Sequence, residues 1–343
     1  MKNYILSMFI YLMAMSAYIQ GDVQPWYFNV YTIDGIGSQA TPYGSDFQGI
    51  AGSGGNVYFQ NFSLNNLNTN PSTGISLYTQ GSTYFGSGSI ENGGIESMGN
   101  VNLNNTSTFG NIISASNLQG NGGTVTGNVT LGGTNQSTIT IQGTVQQNQS
   151  VSPSINYANI NSYFQNASNF WGTQQQSKNW VNQYGQIVID NLVSGRNVIN
   201  MTAQEFNNAW GIKASGPSDA FLIINVDGVN LSGGLESVVF DLSGGLNLNN
   251  VLVNLPTATS VTLNGGGFSS LLAPLADITF NPGLLTGNLI AKTLFGSGQV
   301  NQGAFVGFSQ DHGLNVPEPG TYLILGSFIL LVVLVTARKK QAV

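Results

Sequence analysis

The sequence contains no cysteine and very little charge of either sign. Without thiols the chain has neither a disulfide framework nor a thiolate metal site, so packing and backbone hydrogen bonds must hold the fold. Charged residues make up only 6% of the 343 residues, and no Lys or Arg occurs between residues 3 and 177. Nucleic-acid binding needs a basic surface, so this composition excludes it and also disfavours anionic ligands held by charge.

Glycine is abundant instead, with 45 residues, and Asn, Ser and Thr are frequent throughout. Together with 41% hydrophobic residues, this composition is typical of a β-rich exported protein with many tight turns, and it does not resemble a helical cytosolic enzyme. Removing the two ends described below leaves about 295 residues, which fits one large elongated domain. We place that domain at residues 22–310.

The N-terminus has the pattern of a secretory signal peptide. Lys2 precedes an apolar stretch at residues 4–18, which is short for a membrane span and leads into small residues. We therefore predict a signal peptide over residues 1–21, with cleavage between Ala17 and Asp22. An uncleaved N-terminal anchor is the alternative, and the polar residues just before Asp22 disfavour it.

The C-terminus consists of three successive segments. A linker at residues 311–320 precedes an uncharged apolar run at residues 321–337, and a basic tail follows at residues 338–343. At a rise of about 1.5 Å per residue the run spans roughly 25 Å, which is the short end of what crosses a bilayer core. We therefore predict a transmembrane helix with a cytoplasmic tail, because basic residues after a span favour that side. The basic stop consists of Arg338, Lys339 and Lys340.

The linker contains a Pro-Glu-Pro triplet directly before the apolar run. The motif consists of Val316, Pro317, Glu318 and Pro319. The triplet, the apolar helix and the basic end together resemble the PEP-CTERM sorting signal of Gram-negative bacteria. The resemblance implies an exosortase-type sorting enzyme as a partner, a precursor held in the inner membrane, and delivery to the cell surface or extracellular matrix. A bare C-terminal membrane anchor is the alternative.

Short β-prone segments alternate with Gly and Asn turns between residues 46 and 145. A Gly-Asn-Val phrase begins at Gly55, Gly99 and Gly127, and each copy leads into an alternating strand. The copies are not evenly spaced, so a regular solenoid does not follow from them. An irregular β-helix and a β-sandwich with repeated hairpins both fit this pattern.

One segment has helical periodicity. Five apolar residues recur at steps of three and four: Tyr157, Ile160, Phe164, Ala167 and Trp171. The pattern predicts a helix over about residues 156–184, which Gly172 would kink or split. We expect this aromatic stripe to pack against the β body and not to form a binding face.

The second half returns to strand patterns. We predict one short helix at residues 203–210. The predicted strands lie at residues 187–189, 197–201, 221–226, 237–242, 250–254, 260–263, 277–280 and 287–291.

Several phrases resemble the choice-of-anchor A domain family. They lie at residues 45–49, 54–57, 195–200, 221–228, 253–259, 271–276 and 287–291. The resemblance covers residues 27–308 and implies an ice-binding-like adhesive domain. It also implies the fold, a right-handed β-helix (β-solenoid) with one long α-helix packed alongside. The family has no agreed catalytic residues, so the resemblance assigns none here.

Few residues suggest catalysis or metal binding. Asp227, Glu236 and Asp241 are close in sequence, and Glu91 and Glu96 flank a pair of glycines. Glycoside hydrolysis would need two such carboxylates facing each other, but we interpret all five as surface groups in turns. The only histidine lies in the linker, and no calcium-loop motif occurs. We therefore predict no catalytic residue and no cofactor, and leave a structural calcium open.

We expect a non-catalytic adhesive or structural module that binds an extracellular polysaccharide or a surface protein. Tyr43, Tyr58 and Tyr84 would stack on sugar rings if they are exposed, and would form core if they are buried. The first alternative is ice binding, which needs a regular Thr-x-Thr array on one face; we identify Thr138 and Thr140 as one such pair. The second alternative is a β-helix enzyme that degrades polysaccharides.

Overall fold

A computed structural model describes residues 23–67, 74–228, 235–236 and 238–311. The strands of this part stack in parallel from coil to coil, and equivalent inward positions such as Ile95, Ile112 and Val129 lie about 17 residues apart. Among these residues one strand pair is antiparallel. The solenoid is therefore confirmed and the β-sandwich alternative is wrong, since repeated hairpins would pair antiparallel. The right-handed sense of the coil stays a prediction.

The first face of the solenoid begins and ends with strands from different halves of the chain. In spatial order its strands are β20 (Gly195–Thr202), β22 (Ala220–Asp227), β25 (Val251–Asn254), β27 (Ser270–Phe280), β29 (Leu289–Gly296), β1 (Phe28–Ile36), β3 (Ile50–Ser53), β6 (Ile75–Thr79), β9 (Gly94–Ser97), β12 (Ile112–Ser114), β15 (Val129–Leu131) and β17 (Val145–Gln146). Because β1 pairs with both β29 and β3, the first strand of the domain lies in the middle of the stack.

Long strands carry the chain round the corner to the second face. β1, β27 and β29 continue from the first face into the second, with a register shift in β1 and in β27 where they bend. The remaining strands of this face are β23 (Leu235–Glu236), β26 (Ser260–Asn264), β4 (Asn56–Phe59), β7 (Thr83–Phe85), β10 (Val101–Asn104) and β13 (Leu118–Asn121).

The third face is a separate parallel sheet of short strands. In spatial order they are β28 (Leu284–Thr286), β30 (Gln299–Asn301), β2 (Asp46–Phe47), β5 (Phe62–Leu64), β8 (Gly88–Ile90), β11 (Thr106–Thr108), β14 (Thr124–Val125) and β16 (Thr140–Ile141). A fourth sheet contains β18 (Trp180–Gln183), β19 (Gln186–Ile189), β21 (Gly211–Ser215) and β24 (Val239–Ser243), and its β18–β19 hairpin is the antiparallel pair.

Helical segments are few in the described part of the chain. They are α1 (Tyr157–Gly172), α2 (Ala203–Asn207), α3 (Gly307–Gln310) and two short 3-10 helices, Pro25–Tyr27 and Leu248–Asn250. Helix α1 begins at the N-cap Asn156, whose side chain accepts from the backbone of Asn159. It packs on β22, β25 and β27, and the predicted apolar stripe is buried. The packing prediction for this stripe is confirmed.

The predicted helix extends too far: α1 ends at Gly172, and residues 180–183 form a strand. Its last-turn carbonyls are taken by side chains of the sheet, since Asn254 Nδ2 donates to Ser168 O and Asn225 Nδ2 donates to Trp171 O. Gly172 itself lies against Pro256, where an added Cβ would approach the proline ring to 2.8 Å. The helix therefore stops where it meets the solenoid.

Asparagine and glycine have a specific use at the corner between the first two faces. A ladder of hydrogen bonds follows this corner, in which a side-chain oxygen on one coil accepts from a backbone N–H on the next coil. The acceptors are Asn56, Ser82, Asn100 and Asn117, and each accepts from the next residue in this series, with the N–H of Thr134 as the last donor. A Cβ at Gly99, the residue before Asn100, would come within 2.4 Å of Ser82 Oγ. Glycine is thus required here to make room for the ladder.

The corner between the second and third faces uses left-handed backbone instead. Asn61 and Asn105 have φ of 51° and 50°, and Gly122 has 67°. Asn and Gly adopt this region with less strain than other residues. The abundance of both residues in the sequence therefore has two causes, one at each corner.

Four predicted segments lie outside the described residues: the signal peptide, the Pro-Glu-Pro motif in the linker, the apolar run and the basic tail. Within the described ranges, no helix is long and apolar enough to span a bilayer.

Candidate ligand-binding faces

Five neighbouring coils of the third face, from β5 to β16, each carry a hydroxyl side chain that points outward at the same position. We name this set the hydroxyl row: Ser63, Ser89, Ser107, Thr124 and Thr140. On each of these strands at least one adjacent residue points inward and is buried, such as Leu64, Ile90 or Val125, and this fixes the outward direction of the hydroxyl residues by alternation. Parallel strands lie about 4.8 Å apart, so the row presents hydroxyls at that interval over about 19 Å.

Sequence reasoning found only one end of this row. Thr138 and Thr140 do point outward around Ile139, which is 7% exposed, but Thr124 and Thr126 form a second Thr-x-Thr pair on the preceding coil. The other coils supply serine, so a search for threonine pairs could not find them. The signal that could have found the row is a Ser or Thr next to a buried residue in each short strand, repeated at intervals of about one coil.

The second face carries a different outward row. Tyr58 stacks on Tyr84 with ring centroids 4.6 Å apart and an interplanar angle of 1°. The next coils continue in register with Asn102, Gln119 and Gln136, and Gln119 Nε2 donates to Gln136 Oε1 at 3.0 Å. Because each tyrosine uses one ring face on the other, these rings offer less stacking area than two separate platforms.

Tyr43 is not a surface residue. Its side chain is fully buried among Phe47 and Phe62, and its hydroxyl donates to Gly298 O at 2.6 Å. Tyr58 and Tyr84 are half-buried. Of the two alternatives left open by the sequence, partial exposure applies to Tyr58 and Tyr84, whereas Tyr43 belongs to the core because it points inward at a coil corner.

Charge near the hydroxyl row is sparse and negative. Asp46 lies in register with Ser63 at one end, and partial burial raises the pKa of its carboxyl, against a hydrogen bond from Asn66 that lowers it. Glu91 accepts from the Ser89 hydroxyl. Since residues 3–177 contain no Lys or Arg, a ligand on this row has no cation to bind from these coils.

The carboxylates considered for catalysis are not brought together. Asp227 ends a strand of the first face and accepts from Thr257, Glu236 lies on the second face, and Asp241 lies in the fourth sheet beside Lys213 at 3.5 Å. In the ranges that the structure describes, no three Asp, Glu or His side chains are placed to hold a metal ion.

Glu96 was interpreted as a surface carboxylate, and this is wrong. It points outward from the first face, but the start of α1 covers it, and it is 2% exposed. Burial raises the pKa of its carboxyl, against the backbone N–H of Ser154, which donates to it at 2.9 Å and lowers it. A raised pKa in the folded state means that this group stabilises the fold below its unfolded pKa, and that this stabilisation is lost as pH rises through the folded pKa.

The end of the domain is fixed beside α1. The Asp311 carboxylate is almost buried and accepts from Trp171 Nε1 at 2.8 Å and from Arg196 Nη1 at 2.9 Å. The Arg196 guanidinium also lies 5.1 Å from the centroid of the Phe170 ring. Three elements therefore meet at the residue where the described part of the chain ends.

The described part of the chain is thus a parallel β-solenoid with a helix along one side and rows of uncharged polar side chains on its outer faces. The chain belongs to the family described as "Putative Ice-binding-like adhesive domain", whose model matches residues 27–302. The family resemblance found in the sequence over residues 27–308 is thereby confirmed for residues 27–302.

Solved structures of ice-binding proteins show a distant similarity. Two structures of an ice-binding protein from an Arctic yeast are 12% and 13% identical to this chain, cover 81% of it and 90% of their own chains, and have TM-scores of 0.33 and 0.34. An ice-binding protein from an Antarctic bacterium, Flavobacteriaceae, is 12% identical, with 80% of each chain covered and a TM-score of 0.23. No curated protein matches this chain.

Proposed function

We propose that this chain is an exported, non-catalytic adhesive protein. Its third face binds an extracellular polymer, which is either a polysaccharide or another protein at the surface. The hydroxyl row carries the proposal, because it places the same chemical group at the same position on five neighbouring coils. Such a surface suits a long ligand with repeating hydrogen-bonding groups.

The strength of such binding comes from repetition. A single hydrogen bond exchanged with water contributes only about 0.5–1.5 kcal/mol net. Several of them along one polymer add up, because each contact after the first is made within the same complex. Hydroxyl groups both donate and accept, so the row can match sugar hydroxyls or peptide groups without a charge.

Thr124→Arg tests this proposal. Thr124 lies between Ser107 and Thr140, and an arginine there would cover both neighbours with a long charged side chain. We expect retention of the protein on the native extracellular polymer to fall at least about tenfold, which is ~1.4 kcal/mol. The matched control is Thr262→Arg, an outward threonine on the second face, which should leave retention unchanged. Equal retention of the two variants would contradict the proposal.

Sorting forms the second part of the proposal. A signal peptide at residues 1–21 exports the chain, and an exosortase-type enzyme reads Val316, Pro317, Glu318 and Pro319 while residues 321–337 hold the precursor in the inner membrane. Arg338, Lys339 and Lys340 stop transfer. The protein then reaches the cell surface or matrix of a Gram-negative bacterium. The family supports the adhesive role at that location.

Ice binding is the second candidate, favoured by the register of Thr124 with Thr140 on adjacent coils. Two features of the same face are against it, since the row contains three serines and the neighbouring outward position holds Glu91 and Phe109 on successive coils. A surface this irregular suits a flexible polymer better than a crystal lattice. Thermal hysteresis distinguishes the two functions, and a hysteresis that Thr124→Arg abolishes would favour ice.

A further inference from the structure

Two aromatic side chains that are not part of the hydroxyl row lie exposed at the turn of the β18–β19 hairpin. Tyr184 lies in its turn and is 95% exposed, and Trp210 lies beside the turn and is 56% exposed. Burial of an aromatic ring stabilises a folded protein, whereas an exposed ring leaves apolar surface in water. Two neighbouring exposed aromatic side chains therefore indicate an interaction site.

The indole of Trp210 is held in place. Its Nε1 donates to Tyr184 O at 2.9 Å, and its backbone N–H donates to Gly185 O at 2.9 Å. A Cβ at Gly185 would come within 2.9 Å of the indole Cδ1, so the ring lies directly over this glycine. The indole N–H is therefore occupied by the hairpin, and what the side chain still offers a ligand is ring surface.

Tyr184 occupies a position that costs stability. It has φ of 54° and Gly185 has φ of 84°, which are the left-handed conformations of a type I′ hairpin turn. Asn or Gly is preferred at the first of these positions, and an aromatic residue there is strained by about 1–2 kcal/mol. An exposed tyrosine at a position that disfavours it points to a function for its ring.

The surroundings favour an uncharged ligand. Val181 and Val239 are 60% and 62% exposed, and Asn182 and Gln183 supply amide groups on the same hairpin. The charged groups Lys213 and Asp241 of the fourth sheet pair with each other. We propose that Tyr184 and Trp210 form a stacking site for the sugar rings of a neutral polysaccharide. This names a ligand class for the adhesive function and rests on that function.

The test compares three variants of the full chain purified in detergent. Affinity electrophoresis in gels containing hydroxyethylcellulose, a β-1,3-glucan or a galactomannan measures how strongly each polysaccharide retards the protein. We expect at least one of them to retard the wild type, and Trp210→Ala and Tyr184→Asn each to weaken that binding about tenfold or more. Tyr27→Ala, which removes a ring that is also 56% exposed, should bind like the wild type.

A second readout separates binding from stability. Because asparagine suits the left-handed turn, Tyr184→Asn should raise the melting temperature while it weakens binding. If the ring had only a structural role, its loss would lower the melting temperature and binding together. If Trp210→Ala and Tyr184→Asn are both retarded as strongly as the wild type, the stacking site is contradicted. It is also contradicted if none of the three polysaccharides retards the wild type. In either case the retention of Thr124→Arg on the native polymer still decides the adhesive proposal separately.

Discussion

Replacing Phe164 with alanine lowers the free energy of unfolding by about 3–5 kcal/mol, the usual cost of truncating a buried aromatic side chain. Phe164 is fully buried in the middle of α1, with ring centroids 5.4 Å from Tyr31 and 5.7 Å from Phe308. Its loss leaves a cavity between the helix and the first face, where both sides are rigid and cannot close it. Urea unfolding measured by circular dichroism gives the value.

Gln165→Ala is the control, because the neighbouring side chain points to solvent from the same turn. It should change stability by no more than about 0.5 kcal/mol. If Phe164→Ala also lowers the free energy of unfolding by less than about 1 kcal/mol, α1 is not part of the cooperative core of the solenoid.

Asn254→Ala should cost about 2–4 kcal/mol, since more than one buried polar group loses its partner at about 1–3 kcal/mol each. The Asn254 amide is fully buried between the first face and α1. Its Nδ2 donates to Ser168 O at 2.9 Å and to Asn225 Oδ1 at 2.8 Å, and its Oδ1 accepts from Ser168 Oγ at 2.7 Å. This amide therefore ties two strands to the last turn of the helix.

An exposed amide in a similar ladder is the matched comparison for Asn254. Asn264 Nδ2 donates to Glu236 Oε1 at 3.0 Å, and Asn281 Nδ2 donates to Asn264 Oδ1 at 2.8 Å. Asn264→Ala should cost less than about 1 kcal/mol, because water replaces its partners. Equal losses for Asn254→Ala and Asn264→Ala would mean that burial of the ladder contributes nothing.

Local patterns predicted the elements of this fold better than their arrangement. The stripe from Tyr157 to Trp171 predicted the helix and its buried face, because periodicity depends only on nearby residues. It did not predict the end at Gly172, which is fixed by side chains of Asn225 and Asn254 far along the chain. The strands of the second half were predicted for the same reason as the helix.

The three Gly-Asn-Val phrases did not indicate the length of one coil, because they do not occupy equivalent positions in the solenoid. Val57 and Val101 are two coils apart on the second face, both in register with Thr83, whereas Val129 lies on the first face beside Ile112. Identical phrases at different corners therefore gave unequal spacings. Only the strand pairing distinguishes these corners.

The two proposed binding surfaces were the least predictable part of the structure. The hydroxyl row mixes Ser63 with Thr140, and neither has a distinctive local pattern. Tyr184 and Trp210 meet only because the hairpin and the strand after Trp210 pair in one sheet. The register between coils decides which side chains become neighbours on such a surface, and this register cannot be derived from a single sequence.

We propose that this adhesive domain acts outside the inner membrane, after the exosortase-type enzyme has removed its tail. Mass spectrometry of the mature C-terminus, from separated membrane, surface and medium fractions, tests it most directly. We expect residues 321–343 to be missing from the protein in the surface or medium fraction. An intact C-terminus found only in the inner-membrane fraction would contradict it.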